Sequence, residues 1–333
     1  MQELERAGAV IHEIPMVREL RPRTDRRHVR ALTELIRDVR PAIVHTHSSK
    51  AGALGRRAAQ AAGVSAVVHT PHTYSFLFGE MFGPIQRWVF RGVERRLSRL
   101  ARRVVAVSAD EAQTMCAAGV VEPEQVRVVP NGMDPGANAA ASAAAAPVGS
   151  VEGRARVLVC GLLNPAKGQD LAIGALGSAD CEGVELWIAG DGEQRGVLEA
   201  LVRAVGVEGR VLFLGQREDV PELMKAADCL LLPSRWEGMP YVLLEAAAAG
   251  LPIVATPVDG AREFLGAEEG GGERGWLAEA STEEAIGAAL GAAIAAGSPE
   301  RERRAANARR WVLDHHAVER MMDALEAVYA ELL

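Results

Sequence analysis

The chain has 333 residues, 49% apolar, 24% charged and only 4% aromatic, which allows two domains of ordinary size with cores built from Ala, Val and Leu. No apolar run reaches the roughly 18 residues of a membrane span, the opening residues lack a signal-peptide pattern, and Cys116, Cys160, Cys181 and Cys229 show no C-x-x-C spacing, so a cytoplasmic chain with reduced thiols is expected. Residues 1–150 hold 20 basic and 14 acidic side chains and the remainder 17 and 30, so a half carrying +6 is joined to a half carrying −13, a balance that argues against nucleic acid as partner.

In chain order, "AVIHEIP" (9–15) reads as a strand and "RRHVRALTELIRDVR" (26–40) as an amphipathic helix. "AIVHTH" (42–47) reads as a strand, "KAGALGRRAAQAAG" (50–63) as a helix with a glycine stop, and "AVVHT" (66–70) as a strand. A long helix over 84–103, "VVAVS" (104–108), a helix over 109–118 and "VRVVP" (126–130) follow. Strands separated by helix-length segments mean a parallel sheet with crossover helices. The alternation stops at 131–153, where Ala, Gly and Pro take over. The expected division is a first domain over 1–136, a linker over 137–153, a second domain over 154–299 and a final long helix over 300–333 packing across both.

The second domain repeats the pattern. It offers strands at 156–163, 184–190, 210–215, 229–234 and 252–257, with helices near 169–177, 193–206 and 220–227 and one carrying Glu245. The expected fold class is α/β, with two doubly wound Rossmann-like domains.

The segment "SRWEGMPYVLLEAAAAGLPIVAT" (234–256) places Glu237 and Glu245 eight positions apart in an otherwise apolar run. "CLLLPS" is continuously apolar, as a central parallel strand should be, and Glu237 lies just beyond its carboxyl end. Pro240 suits a helix start, Gly250 a cap after its end, and Pro252 forbids continuation. Both carboxylates then face the crevice where open α/β sheets bind ligands. The free amides of Gly238, Met239 and Tyr241 are available there to an anion. Carboxylates accept from sugar or ribose hydroxyls and amides hold phosphates, so a nucleotide sugar fits both demands. The competing reading makes Glu237 a helix cap and Glu245 a solvated residue.

Three further groups stand out. "CGLLNPAKGQD" ends a strand at Gly161 and delivers Lys167 to its carboxyl edge, where a diphosphate is a natural partner. "VHTHSS" and "VHTPHTYSF" set His45, His47, His69 and His72 at two strand ends. Their spacing admits a metal, but neither segment supplies a carboxylate ligand, and His72, after Pro71, is the histidine expected to reach a cleft. Arg87, Arg91, Arg95, Arg99 and Arg103 form a stripe at i+4 spacing, with Trp88, Val93, Leu97 and Leu100 on the helix's apolar side. That pattern suits either an anionic membrane surface or a solvated face packed on the sheet.

With these pieces in place, the chain resembles the family 4 glycosyltransferases, the group 1 transferases of GT-B type. "RPAIVHTHSSKAGALGRRAA", "VVHTPHTYSF", "VVAVSADE", "VRVVPNGMD", "GLLNPAKG", "AADCLLLPSRWEGMPYVLLEAAAAGLPIVATPVDG" and "YAELL" carry the resemblance in the family's order. It implies two domains facing a central cleft and retaining transfer of a sugar from a nucleoside diphosphate donor, a UDP-sugar above all, to an acceptor hydroxyl without metal or other cofactor. It also implies roles: Glu237 at the donor sugar, Glu245 at the ribose, Lys167 at the leaving diphosphate and His72 near the transferred sugar. Gly161, Gly238, Met239 and Arg217 complete the expected donor site. The membrane reading of the Arg87–Arg103 helix fits a saccharide or lipid-linked acceptor, as in polysaccharide assembly, met at the inner face of the membrane.

Two departures accompany it. Leu162 stands where the family usually has a second diphosphate-binding arginine, leaving Asn164, Arg217 or Arg235 as substitutes. The family also opens with a strand, a glycine-rich loop and a helix that residues 1–10 do not supply, so a truncated first domain is expected. Two rival readings follow: an inactive remnant that binds nucleotide or a partner transferase, and a sugar-nucleotide epimerase or hydrolase of the same fold.

Overall fold

A computed structural model describes the chain except residues 1, 18, 135, 137–141 and 267–271. Its elements fall on two parallel sheets. The first unit runs α1 (Gln2–Arg6), α2 (Pro22–Val39), β1 (Val44–His47), α3 (Ser49–Ala62), β2 (Val67–Thr70), α4 (Pro84–Ser98), β3 (Arg103–Ala106), α5 (Ala109–Ala117) and β4 (Val126–Val128). Its strands lie in the order β1-β2-β3-β4, all parallel. Successive side chains of a strand face opposite ways. Val67 and Val104 therefore join Ala58, Ala59 and Met115 on one face, while Val68 and Val105 join Val328 from the chain's end on the other.

The second unit runs β5 (Ala155–Cys160), α6 (Gln169–Ala175), β6 (Val184–Ala189), α7 (Arg195–Val205), β7 (Val211–Gly215), α8 (Val220–Ala226) and β8 (Cys229–Leu232). It continues with α9 (Tyr241–Ala249), β9 (Ile253–Ala255), α10 (Ala261–Leu265), β10 (Trp276–Leu277) and α11 (Glu283–Ala295). The sheet order is β10-β9-β8-β5-β6-β7, again all parallel. From β5 the chain winds outward through β6 and β7, then returns to β8 on β5's other side and winds away through β9 and β10. The order reverses between β5 and β8, and ligands bind outside the carboxyl ends of the strands at such a switch point. Apolar clusters cover both faces of this sheet.

Three expectations are corrected. Residues 9–15 form no strand: Val10 is 80% exposed and no neighbouring strand pairs with the segment, so β-branched composition alone does not make one. The helix expected over 84–103 ends at Ser98, because Leu100 and Ala101 turn back onto Leu97 and Ser98 and Arg103 opens β3. The final segment is two helices, α12 (Ser298–His315) and α13 (Val318–Ala330). The break lies at His316–Ala317, where the backbone leaves the helix to pair with Met133: Met133 N–H donates to His316 O at 2.8 Å and Val318 N–H to Met133 O at 3.1 Å. α12 packs on the second unit through Ala308 and Val312, and α13 packs on the first through Val328. The expected linker begins in residues 137–141, outside the described residues. From 142 to 153 it is irregular chain, fastened where Ser150 Oγ and Val151 N–H donate to the Glu185 carboxylate at 2.6 and 2.7 Å.

Candidate functional site

The chain after β5 sets the first wall of the site. Asn164 accepts the Lys167 amide at 3.2 Å and so starts the short turn that presents the lysine. Gly168 follows with φ +65°, and a β-carbon there would lie 2.0 Å from Pro233 O. Only glycine lets this loop close onto the end of β8. Lys167 Nζ consequently reaches Glu237 Oε1 at 2.7 Å, and the same oxygen accepts from Ser234 Oγ at 2.8 Å.

Arg235 knits the two loops. Its guanidinium forks the Asp170 carboxylate at 2.8 and 2.6 Å and donates to Pro165 O at 3.0 Å. It is thereby occupied within the wall, and Asn164 is occupied as a turn cap. Arg217 does not line the cleft: it forks Asp219 at 2.8 and 2.6 Å on the exposed loop after β7. None of the three candidate substitutes for the family's second arginine is thus held ready at the diphosphate position.

The second wall is the start of α9. Pro240 sits just before the first helical residue with extended backbone (φ −72°, ψ 125°) and no side chain caps the end. Leu243 N–H donates to Pro240 O at 3.2 Å, and the amides before it, at the helix's open end, border the cleft where an anion can take them. Glu245, one turn further on, lines the same space, and burial raises its pKa above the ordinary glutamate value. Burial, with the Glu245 charge adding to it, pushes the Cys160 thiol opposite up to about 12.

The first unit closes the cleft from across. His72 lines it with φ +52°, and its Nε2 meets His47 Nδ1 at 3.0 Å. His45 lies tilted against His47 with ring centroids 4.2 Å apart and bonds Tyr329 Oη at 2.7 Å and Thr70 Oγ1 at 2.8 Å. Burial lowers the pKa of His47 and His72 and takes His45 down to about 3, so all three are neutral at pH 7. His69 is fully buried and bonded to Thr46. Among the described residues, no group of three His, Cys, Asp or Glu is disposed to hold a metal ion.

The resulting cleft of about 480 Å³ is lined by His72, Gly161, Lys167, Glu237, Gly238, Met239 and Glu245, with Cys160, Val107 and Asn131 beside them. Seven of the eight expected site residues therefore meet in one space, and Arg217 stands apart. Sequence reasoning passed over Ser108, Glu111 and Asn131. Ser108 Oγ donates to Gly238 O and Asn131 Nδ2 to Met239 O, each at 2.8 Å, so the first unit grips the loop that begins α9. The "SADE" pattern, a capping-box signature, was the signal available for Ser108 and Glu111.

Two family models match the chain: Glycosyltransferase Family 4 over residues 2–137 and Glycosyl transferases group 1 over residues 143–311. An Escherichia coli protein, UDP-Gal:alpha-D-GlcNAc-diphosphoundecaprenol alpha-1,3-galactosyltransferase, is 31% identical over 245 residues, 71% of this chain and 63% of that enzyme. The match thus spans just under two thirds of that relative's length. The putative glycosyltransferase EpsF of Bacillus subtilis is 30% identical over 310 residues, 90% of this chain and 78% of its own. Among solved structures, Anabaena HepE in complex with UDP and glucose superposes with a TM-score of 0.74 at 24% identity, covering 91% of this chain and 81% of that one. Sucrose-phosphate synthase from Thermosynechococcus elongatus does so at 0.80 and 22% identity, covering 96% and 80%. These superpositions establish the two-domain fold.

Proposed function

This chain belongs to the group 1 glycosyl transferases, and from that premise we propose that it transfers a sugar from a UDP-sugar to a hydroxyl of a lipid-linked saccharide, with retention at the anomeric carbon. The observation that carries the reading is the convergence of Lys167, Glu237, Glu245 and an uncapped helix start at the β5/β8 switch point, opposite His72. Each feature answers one part of such a donor. Lys167 and the α9 amides stabilise charge developing on the leaving diphosphate, the role of fixed dipoles and cations in group transfer. Glu245 accepts from the ribose hydroxyls. Glu237 contacts the donor sugar near the reacting carbon, and His72, neutral at pH 7, faces the transferred sugar with a hydrogen bond available to it. Gly161, Gly238 and Met239 let backbone approach the phosphates. The reading calls on no cofactor. Support for a UDP-sugar and a lipid-linked acceptor comes from the names of the E. coli relative and the HepE complex.

The proposal extends to where the chain works. No helix among the described residues is long and apolar enough to cross a membrane. α4, however, exposes Ile85 and Trp88 to 80% and 75%, together with Val89 and Val93, beside exposed Arg91, Arg95, Arg96 and Arg99. Such a face suits an anionic bilayer surface, and the inner leaflet brings a lipid-linked acceptor to the enzyme.

Calorimetric titration with UDP, GDP and ADP tests the donor side first. Saturable binding of UDP, weakened by Glu245→Ala, is expected, with Glu237→Ala abolishing turnover at smaller loss of binding. Binding of GDP or ADP alone reassigns the donor. Release of an altered nucleotide sugar without any acceptor replaces transfer by epimerisation.

A further inference from the structure

Glu111 has no part in the chemistry proposed above, yet its carboxylate joins the two sides of the cleft. The residue is 2% exposed, in the first turn of α5. In a capping box the glutamate of S-x-x-E returns to the amide of its own serine. Here the serine half is kept, since Ser108 Oγ accepts Glu111 N–H at 3.0 Å. The glutamate is directed elsewhere: Oε2 accepts from Val107 N–H at 2.7 Å, and Oε1 accepts from Thr73 N–H at 2.6 Å.

Thr73 directly follows His72, and both have positive φ, +52° and +76°. Side-chain-bearing residues rarely hold that conformation, and it persists only where surrounding contacts over-determine it. The Glu111 carboxyl oxygen on the Thr73 amide is such a contact, and it aims the histidine into the cleft. The same oxygen also borders the donor side. A β-carbon at Gly238 would come within 3.1 Å of Glu111 Oε1 and 2.8 Å of Val107 Cγ2, while Ser108 Oγ bonds Gly238 O. One buried carboxylate thus fixes the His72 turn on one side and abuts the start of α9 on the other.

We propose that Glu111 is a positioning residue, which sets the His72 turn against the donor-binding loop by holding the Thr73 amide. The proposal rests on the reading of His72 as a residue facing the transferred sugar. It reaches beyond that reading in naming what holds the histidine there.

Glu111→Gln keeps the shape but replaces one acceptor oxygen with an NH2 group, so only one of the two amides retains its partner. Its kcat for release of UDP from the UDP-sugar should fall at least tenfold, with the Kd for UDP changed less than threefold. On the His72→Ala background the same substitution should cost less than twofold, because the group it positions is already gone. An unchanged kcat in the folded variant, or an equal loss on both backgrounds, overturns the proposal. The clamp is also read in the unaltered protein by hydrogen exchange: the Thr73 amide should be protected alongside the Val107 amide, and an unprotected Thr73 refutes it whether or not the variant folds. Should His72→Ala keep full activity, the reading of His72 falls. The exchange result then decides separately whether Glu111 holds the turn.

Discussion

Replacing Lys167 with Ala should separate a diphosphate-binding lysine from one that only braces the wall. Lys167 Nζ is 2.7 Å from Glu237 Oε1, with the two side chains 29% and 13% exposed. A charge-assisted hydrogen bond to a phosphate contributes about 1.5–3 kcal/mol. Lys167 must share itself between Glu237 and the ligand, and its partial exposure screens the contact, which favours the lower half of that range. The loss of affinity for UDP should then be roughly 10- to 40-fold, at about 1.4 kcal/mol per decade. Titration of the variant with UDP, UMP and uridine provides the assay. Uridine carries no phosphate, so its affinity should change less than twofold, with UMP between. Glu245→Ala should show the opposite ranking, weakening uridine about as much as UDP. If Lys167→Ala weakened uridine and UDP equally, the lysine would be acting through the wall and the diphosphate assignment would be wrong. An unchanged UDP affinity would refute it as directly.

Three further outcomes are expected. Because burial lowers the pKa of His45 to about 3 and those of His47 and His72 in the same direction, the unfolded chain takes up protons first. Stability from these groups is present above pH 6.5 and is lost as pH falls toward their folded values. At pH 5 His45 alone accounts for roughly 2 kcal/mol at 1.36 kcal/mol per unit; melting curves from pH 7.5 to 5 should show the fall, and a His45→Gln variant with the same slope would refute the attribution. Asp110 Oδ2 accepts from Gly260 and Glu263 amides at 3.3 and 3.1 Å, while Glu263 Oε2 accepts from Ala109 and Asp110 amides at 2.6 and 3.2 Å, so α5 and α10 cap each other across the units. Asp110→Ala should cost about 1 kcal/mol of stability and raise the radius of gyration in solution scattering, and identical scattering with unchanged melting would count against the caps as a tie. At the carboxyl end of α4, reversing Arg95 and the capping Arg99 to Glu should weaken binding to vesicles rich in anionic lipid by at least 30-fold, at about 1 kcal/mol per lost basic residue; no loss by co-sedimentation would remove α4 from the membrane contact.

What was legible in the sequence follows how local its cause is. The α9 segment was readable because its limits are written in backbone chemistry. Pro240 before the start, Gly250 at φ +74° after the end and Pro252 beyond leave one register, which puts Glu237 before the helix and Glu245 in its second turn. α12 and α13 were merged because nothing at His316–Ala317 breaks a helix by itself: the break is made by Met133, far away in sequence. Arg217 was misplaced for a related reason. The family resemblance offered it as a stand-in for the missing arginine, but Asp219 two residues on captures the guanidinium locally. On α4 one feature could not be read from the stripe: Glu94 lies on the inward face with Leu97, paired with the fully buried Arg56 at 2.8 Å. Ile85, Trp88 and Val93 are exposed on the same helix, and no single helix's pattern contains the buried pair.

The same distinction bears on how the donor site works. Its charged groups, Lys167 and Glu237, are set by loops of the second sheet, but the loop carrying Gly238 and Met239 is held by Ser108 and Asn131 of the first. Asn131 O in turn accepts from His316 Nδ1 at 2.9 Å, at the point where α12 gives way to α13. The start of α9 thus belongs mechanically to both units. Relative movement of the units must change the position of its amides, whereas Lys167, bonded within its own sheet's loops, need not move. If the proposed donor site is right, a movement of the units would reach the diphosphate through α9 more than through the lysine, and Ser108→Ala, at a residue that grips the Gly238 loop from the first unit, should alter UDP affinity in the calorimetric titration.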